Sequence, residues 1–304
     1  MARPSFPRSL GEFQQRFCAE EACAAYLAES RWPEGFVCPR CGGKESYLLP
    51  LRRLFQCKAC DYQVSLTAGT VMHGTRVDLI QWFRAAYLLT TLTPGISALQ
   101  LQRQLALGSY RTAWMMLHKL RKATVDPGRG KLHGVIEVDD TYVGGKEEDV
   151  VGRQVRTKTP VVAAVEVRGR ASGRLRLRAL GDVSAASLLP FVQDVVAPGS
   201  VVYTDGWRGY ARLGSKECQH RIRPVKDGQD PSRVLPRVHR AISNLKSWLQ
   251  GTHHGVSPKH LQPYLDEFAF RFNRRRTPMA AFQTLLGIGS QVPTVTYKML
   301  CASE

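Results

Sequence analysis

The chain has 304 residues, 43% hydrophobic and 22% charged, a globular balance that excludes a disordered chain, a collagen-like repeat or a coiled-coil rod and leaves room for two or three domains. Lys and Arg number 43 against 25 Asp and Glu, a net charge of +18, which points to a polyanionic partner, nucleic acid before membrane. No apolar run reaches the ~18–20 residues of a membrane span, so no membrane partner is expected. Residues 1–17 lack the apolar core of a secretion signal, so a cytoplasmic, nucleoid-associated location is expected. In that reducing setting the eight cysteines read as metal ligands or free thiols before disulfides. The basic excess gathers in residues 1–130 and 212–276, and 131–211 is near neutral.

Residues 1–35 read as a helical segment, with Phe13, Phe17, Ala24 and Leu27 recurring at helical spacing between Leu10 and Leu27. Residues 36–63 follow with two C-x-x-C knuckles, Cys38-Pro-Arg-Cys41 and Cys57-Lys-Ala-Cys60, separated by 15 residues. That spacing fits a four-cysteine zinc ribbon, with Ser46–Leu49 and Leu54–Gln56 as short strands. Four Cys ligands leave no open coordination position, so the expected Zn2+ is structural and supplies most of the folding energy of a segment with little apolar surface. Cys18, Cys23, Cys218 and Cys301 share no such pattern and read as buried small apolar residues.

Residues 64–126 read as three helices, from Val77 to Leu92, Ala98 to Ala106 and Tyr110 to Ala123. Pro94-Gly95 and Leu107-Gly108-Ser109 separate them. The third carries an apolar stripe of Ala113, Trp114, Leu117 and Leu120, and the remaining face is assigned Arg111, His118, Lys119, Arg121 and Lys122. This fits a helix-turn-helix whose Arg111, Lys119, Arg121 and Lys122 contact DNA. A plain three-helix bundle with a charged surface is the alternative.

Pro127-Gly128-Arg129-Gly130 marks a domain boundary. Beyond it, 127–290 reads as one mixed α/β domain and 291–304 as a tail. Strands are expected from Val135 to Tyr142, Val161 to Val167, Leu175 to Leu180 and Ser200 to Gly206, with a helix from Ser184 to Val196 kinked at Pro190. Asp139 and Asp205 end the first and last of these strands, 66 positions apart. Paired carboxylates at strand tips form a minimal cradle for a hard divalent ion, with water and phosphate completing it. Either Asp alone is equally at home starting a turn.

The order of a zinc ribbon, a helix-turn-helix, EVDDTYVGG (137–145), YTDGWRGY (203–210) and the segment from His239 to Arg275 resembles bacterial insertion-sequence transposases of the DDE type. The branch it is similar to has an N-terminal zinc ribbon and a ribonuclease H-like catalytic domain, and the likeness runs from about Phe13 to Leu286. It implies cleavage at transposon ends by activated water, then attack of the freed 3′-hydroxyl on target DNA. It implies Asp139 and Asp205 as metal ligands, with Asp140 a neighbour. The third acidic position falls on His239, followed seven residues later by Lys246 as a phosphate clamp. Most relatives carry Glu there, and some carry Asn or His. An imidazole suits Mn2+ better than Mg2+, so a Mn2+ preference is expected; Glu267 or Asp266 on a later helix are rival third ligands. Arg240 and Arg274 are expected on the DNA path.

The expected partners are double-stranded transposon ends and target DNA, with a homodimer or larger homo-oligomer holding two ends together. Trp207, Arg208 and Tyr210 either contact a terminal base or pack the domain edge. His253, His254 and His260 read as structural or phosphate contacts. Rival functions are a zinc-ribbon DNA-binding regulator, a structure-specific nuclease and a catalytically degenerate copy. The regulator predicts no dependence on Asp139 or Asp205.

Overall fold

The computed structural model describes residues 4–49, 52–145, 157–214, 218–224 and 229–302. In chain order its elements are α1 (Leu10–Arg16), α2 (Glu20–Arg31), β1 (Ser46–Leu49), β2 (Leu54–Cys57), β3 (Gln63–Ser65), α3 (Leu79–Thr91), α4 (Ala98–Gln104), α5 (Tyr110–Lys122), β4 (Val135–Val143), β5 (Thr159–Arg168), β6 (Ala171–Ala179), α6 (Ala185–Val195), β7 (Ser200–Thr204), β8 (Cys218–Ile222), α7 (Pro231–Val234), α8 (Pro236–Trp248), α9 (Leu261–Asn273), α10 (Pro278–Gly289) and α11 (Tyr297–Ala302). They form a mixed α/β chain in two compact units, Met1–Asp126 with Arg274–Glu304, and Pro127–Asn273. Among the described residues no helix is long and apolar enough to cross a membrane.

The first unit has an aromatic core. The sequence predicts one helix over 10–27, but the chain folds as two: Ser9 caps α1 by accepting the Glu12 N–H at 3.1 Å, and the backbone leaves helical geometry at Phe17. The break lets Phe13, Phe17 and Tyr26 converge on Phe83 of α3 and Phe282 of α10, with ring centroids 4.9–6.2 Å apart. Edge-on aromatic pairs of this kind add about 0.5–1.5 kcal/mol each beyond area burial. Cys18 lies at the break and is exposed, and Cys218 is half-buried, so only Cys23 of these is the buried thiol expected; the side chain of Cys301 lies outside the described residues.

Helix α3 has no cap of its own, because Asp78 makes no side-chain cap bond. Glu20 of α2 takes that role, accepting the N–H groups of Leu79 and Ile80 at 2.9 and 3.2 Å, and a carboxylate at a helix N-terminus is itself favourable. Helix α10 falls inside the 127–290 span of the sequence reading but packs in this first unit. Its Phe282 completes the aromatic core, and the Gly289 carbonyl accepts the Val71 N–H at 3.1 Å. The expected tail contains α11, whose Tyr297 ring lies 3.8 Å from the Arg111 guanidinium.

The second unit is built on a five-stranded sheet in the order β6-β5-β4-β7-β8. Strand β6 pairs antiparallel with β5 and β5 antiparallel with β4, whereas β7 and β8 run parallel to β4. The polar strand β8 was missed in the sequence because CQHRI has no apolar alternation. Side chains alternate across β5: Val161, Ala163 and Val165 join the core under α8 and α9, whereas Val162 and Ala164 join the core under α6. Covered on both faces, β5 reads as the continuous apolar run of a central strand. Pro190 lies inside α6 without ending it.

Candidate active site and metal centres

The four ribbon cysteines gather into one cluster, with all ligand atoms within 4.8 Å of one another. Cys38 Sγ lies 3.7 Å from Cys60 Sγ, and Cys41 Sγ lies 3.6 Å from Cys57 Sγ. A tetrahedral ion with bonds of about 2.3 Å requires sulfurs about 3.8 Å apart, so the cluster fits Zn2+ with little adjustment. The two knuckles repeat one backbone design. Gly42 and Asp61 each stand four residues after the leading Cys, each at positive φ (75° and 54°). Each N–H returns to the carbonyl of that Cys, at 2.9 and 3.0 Å. A side chain at Gly43 would be crowded, since a Cβ there would meet Cys57 Sγ at 3.1 Å and Cys41 Sγ at 3.3 Å. Burial opposes ionisation of Cys38, but N–H groups of Cys41 and Arg40 outweigh it and bring that thiol down, whereas at Cys60 the Tyr62 N–H is outweighed by the neighbouring thiols, Cys41 first, and the group is pushed up; a bound cation would favour the thiolate at all four.

The second cluster forms on the sheet. On β4 the side chains of Ile136 and Val138 enter the core under α6. Alternation therefore turns Glu137 and Asp139 to the face covered by α8. There Asp139 Oδ2 meets His239 Nε2 of α8 at 3.3 Å. Asp140 points the other way, where the Tyr210 hydroxyl donates to its Oδ1 at 3.4 Å. Parallel pairing of β4 with β7 sets Val135 opposite Val201, Ile136 opposite Val202 and Glu137 opposite Tyr203. The same offset of 66 separates Asp139 from Asp205, which follows directly on β7. Asp139 thus lies two residues past the last position of β4 paired with β7, and Asp205 one residue past the end of β7. One Asp205 oxygen accepts the Trp207 N–H at 2.9 Å, so the turn-starting role coexists with the site.

Electrostatics tie the rest together. Burial pushes the pKa of His239 down, opposed by the charges of Glu137, Asp230 and Asp205. The imidazole is then neutral at pH 7 and either donates from Nε2 to Asp139 or offers a lone pair there, depending on tautomer. Lys246 lies two turns along α8 from His239, exposed to solvent. Partial desolvation and then Lys158 lower its pKa, with Asp139 opposing. Lys158, absent from the sequence reading, therefore belongs to the same electrostatic neighbourhood. Two carboxylates and an imidazole are a donor set suited to Mn2+ or Mg2+, with positions left for water and phosphate. Among the described residues only the four cysteines bring three or more ligand atoms within 4.8 Å of one another, so Asp139, Asp205 and His239 do not close on one ion position in this arrangement.

Several expected residues lie elsewhere. Arg121 is 1% exposed and His118 is 2% exposed, so neither presents a cation to DNA. Ala113, Leu117 and Arg121 are spaced by four on α5 and therefore share one face, so Arg121 was misassigned to the polar side. Lys119 is half-buried and donates to the His73 carbonyl at 3.0 Å. Arg111, Lys122 and Arg240 are exposed, and Arg274 is partly so. Glu267 is fully buried in α9 and ion-pairs with Arg271 at 3.6 Å, while Asp266 accepts from Gln262 at 3.0 Å; of the candidate third ligands, the described contact with Asp139 is made by His239. Trp207 donates to the Val183 carbonyl at 3.0 Å and Tyr210 is fully buried, so both pack the domain edge. His253 packs edge-on against Trp248 and Tyr264.

Residues 131–273 match the ISXO2-like transposase domain. Residues 19–63 match the transposase zinc-ribbon domain. A transposase-like protein of Haemophilus influenzae is 32% identical over 93 residues, which cover 30% of this chain and 75% of that protein. The chain belongs to the insertion-sequence transposase family. A protein in the transposable element ISH50 of Halobacterium salinarum is 29% identical over 294 residues, covering 89% of this chain and 97% of the relative. The likeness to this transposase-element protein thus spans both units, and the two matched domains divide as the structure does: the ribbon match lies in the first unit and the transposase match within the second.

Proposed function

We propose that this chain is a DDE-type transposase that binds insertion-sequence ends and performs divalent-metal-dependent DNA strand cleavage and strand transfer. Three antiparallel strands followed by two parallel ones, with helices on both faces, support a ribonuclease H-like catalytic domain over Pro127–Asn273. The end-binding part comprises the zinc ribbon at 36–63 and a helix-turn-helix formed by α4 and α5. The exposed start of α5, with Tyr110 and Arg111, supports its role as the recognition helix. Oligomerisation into a homodimer or larger assembly follows from the need to hold two ends, and the reaction belongs in the cytoplasm, on nucleoid DNA.

The observation that carries this reading is the contact of Asp139 with His239 at 3.3 Å; Asp205 follows directly on β7, the strand parallel to β4, and its charge acts on His239. Asp139, Asp205 and His239 hold the catalytic cations, Mn2+ or Mg2+, which when bound activate the attacking oxygen and neutralise charge on the phosphodiester. Lys246 and Arg240 project from solvent-exposed positions of the same helix and hold phosphates on either side of the scissile bond. Catalysis is then mainly positioning and charge stabilisation. The test is an in vitro cleavage and joining assay, with Mn2+, on DNA carrying the terminal inverted repeats that flank the gene. Metal-dependent nicking and joining that disappear in Asp205→Asn, with end binding retained, are expected. End binding by the wild type without any cleavage favours the regulator, and cleavage of branched DNA without joining favours a nuclease.

A further inference from the structure

We propose that Glu137 is a positioning residue: from β4 it grips the start of α8 and so sets His239 against Asp139. The inference rests on the reading of Asp139, Asp205 and His239 as metal ligands.

Helix α8 begins at Pro236, and its cap position is Leu235, which makes no side-chain cap bond. A leucine side chain cannot accept a hydrogen bond, so the N–H groups that open the first turn need another acceptor. Glu137 supplies it. Its Oε2 accepts the N–H of Arg237 at 2.6 Å and the N–H of Val238 at 3.0 Å. Its Oε1 lies 3.5 Å from the Arg237 guanidinium. The carboxylate is 1% exposed, in the middle of a strand flanked by Ile136 and Val138, both fully buried on the opposite face. A charge that deep needs compensation; here both backbone hydrogen bonds, to Oε2, come from one helix terminus, and Oε1 has the Arg237 guanidinium beside it without a hydrogen bond. The strand and the helix then advance in step. Two residues beyond Glu137 stands Asp139, and the residue after Val238 is His239. One rigid clamp therefore fixes the separation of the two side chains that meet next to it. Glu137 is about 100 positions from its partners in sequence, so no local pattern announces the role.

The experiment is a Mn2+ titration of the full-length protein followed by electron paramagnetic resonance, with zinc content and thermal melting recorded for each variant. Glu137→Ala is expected to weaken Mn2+ binding by about 10–100-fold, the usual cost of losing a residue that orients a ligand, with zinc content unchanged. Glu137→Gln keeps an oxygen at the same reach and is expected to recover much of the affinity. Glu137→Asp keeps the charge but withdraws the oxygens by one methylene, and is expected to bind Mn2+ more weakly than Glu137→Gln. A role through charge alone gives the opposite order. Wild-type affinity in Glu137→Ala, or in Glu137→Asp where the Ala variant fails to fold, overturns the proposal, provided that Asp139→Asn has lost Mn2+. If Asp139→Asn itself binds Mn2+ as the wild type does, the metal-ligand reading fails instead.

Discussion

The ribbon draws its four ligands from 23 consecutive residues, Cys38 to Cys60, whereas the acidic site gathers Asp139, Asp205 and His239 from a span of 101. Local ligands on two matched knuckles close around one ion and leave no position vacant. The proposed ligands of the second centre come instead from β4, the residue after β7 and α8, and Lys246 and Arg240 of α8 are exposed. On the function proposed above, the difference separates two tasks: the closed centre would make a fold, and the open one would receive a substrate oxygen. It also separates their vulnerabilities. The ribbon depends on its metal to exist, while the acidic site rests on a sheet whose two apolar cores hold it without one.

The largest effect that sharpens this contrast is removal of zinc. Structural zinc supplies on the order of 10–16 kcal/mol in small domains. Cys41→Ala or strong chelation should therefore unfold the ribbon and abolish end binding, while amide exchange across β4, β5 and β7 stays protected. Loss of protection in both units would erase the distinction. Next comes metal choice at the open site: with His239 as third ligand, Mn2+ should support strand transfer about tenfold better than Mg2+, and His239→Glu should narrow the gap. Equal rates in the wild type would remove the imidazole from the metal. A smaller effect divides α5. Arg111→Ala and Lys122→Ala should each reduce the salt dependence of DNA binding by about one counterion, whereas Arg121→Ala should lower the melting temperature because its side chain is buried.

The smallest expected effect lies at the other end of the sheet. Glu166 accepts the Arg174 and His133 N–H groups at 3.1 and 3.2 Å and pairs with the Arg174 guanidinium at 2.6 Å. Burial raises its pKa, but the Arg174 bonds outweigh this and hold the carboxyl at about 2 rather than 4.5. A group depressed on folding stabilises the fold above its unfolded value, and that stability is lost as the pH falls from about 4.5 towards 2. Glu166→Gln should therefore flatten the decline in melting temperature across that acid range.

The ribbon was legible because C-x-x-C spacing alone dictates where four thiolates converge. The sheet was legible where side chains alternate or run apolar, and lost at β3 and β8, which are short and polar. That β4, which carries Asp139, and β7, which leads to Asp205, are parallel neighbours is a topology no spacing rule contains, and His239 entered only through family likeness. Glu137 was passed over although period-two alternation already set it on the face of Asp139. Arg121 went astray for a related reason: a stripe chosen from apolar letters omitted a cation at the four-residue spacing that places it on the buried side. The break at Phe17 is a tertiary choice, made by an aromatic core that includes Phe282, far along the chain.

Anomalous diffraction at the manganese edge, from crystals of the full-length protein equilibrated with Mn2+, tests the central claim most directly. A manganese peak within bonding distance of Asp139, Asp205 and His239, separate from a zinc peak at the four cysteines, is the predicted result. Manganese bound elsewhere, with Asp205 uncoordinated while zinc fills the ribbon, would contradict it.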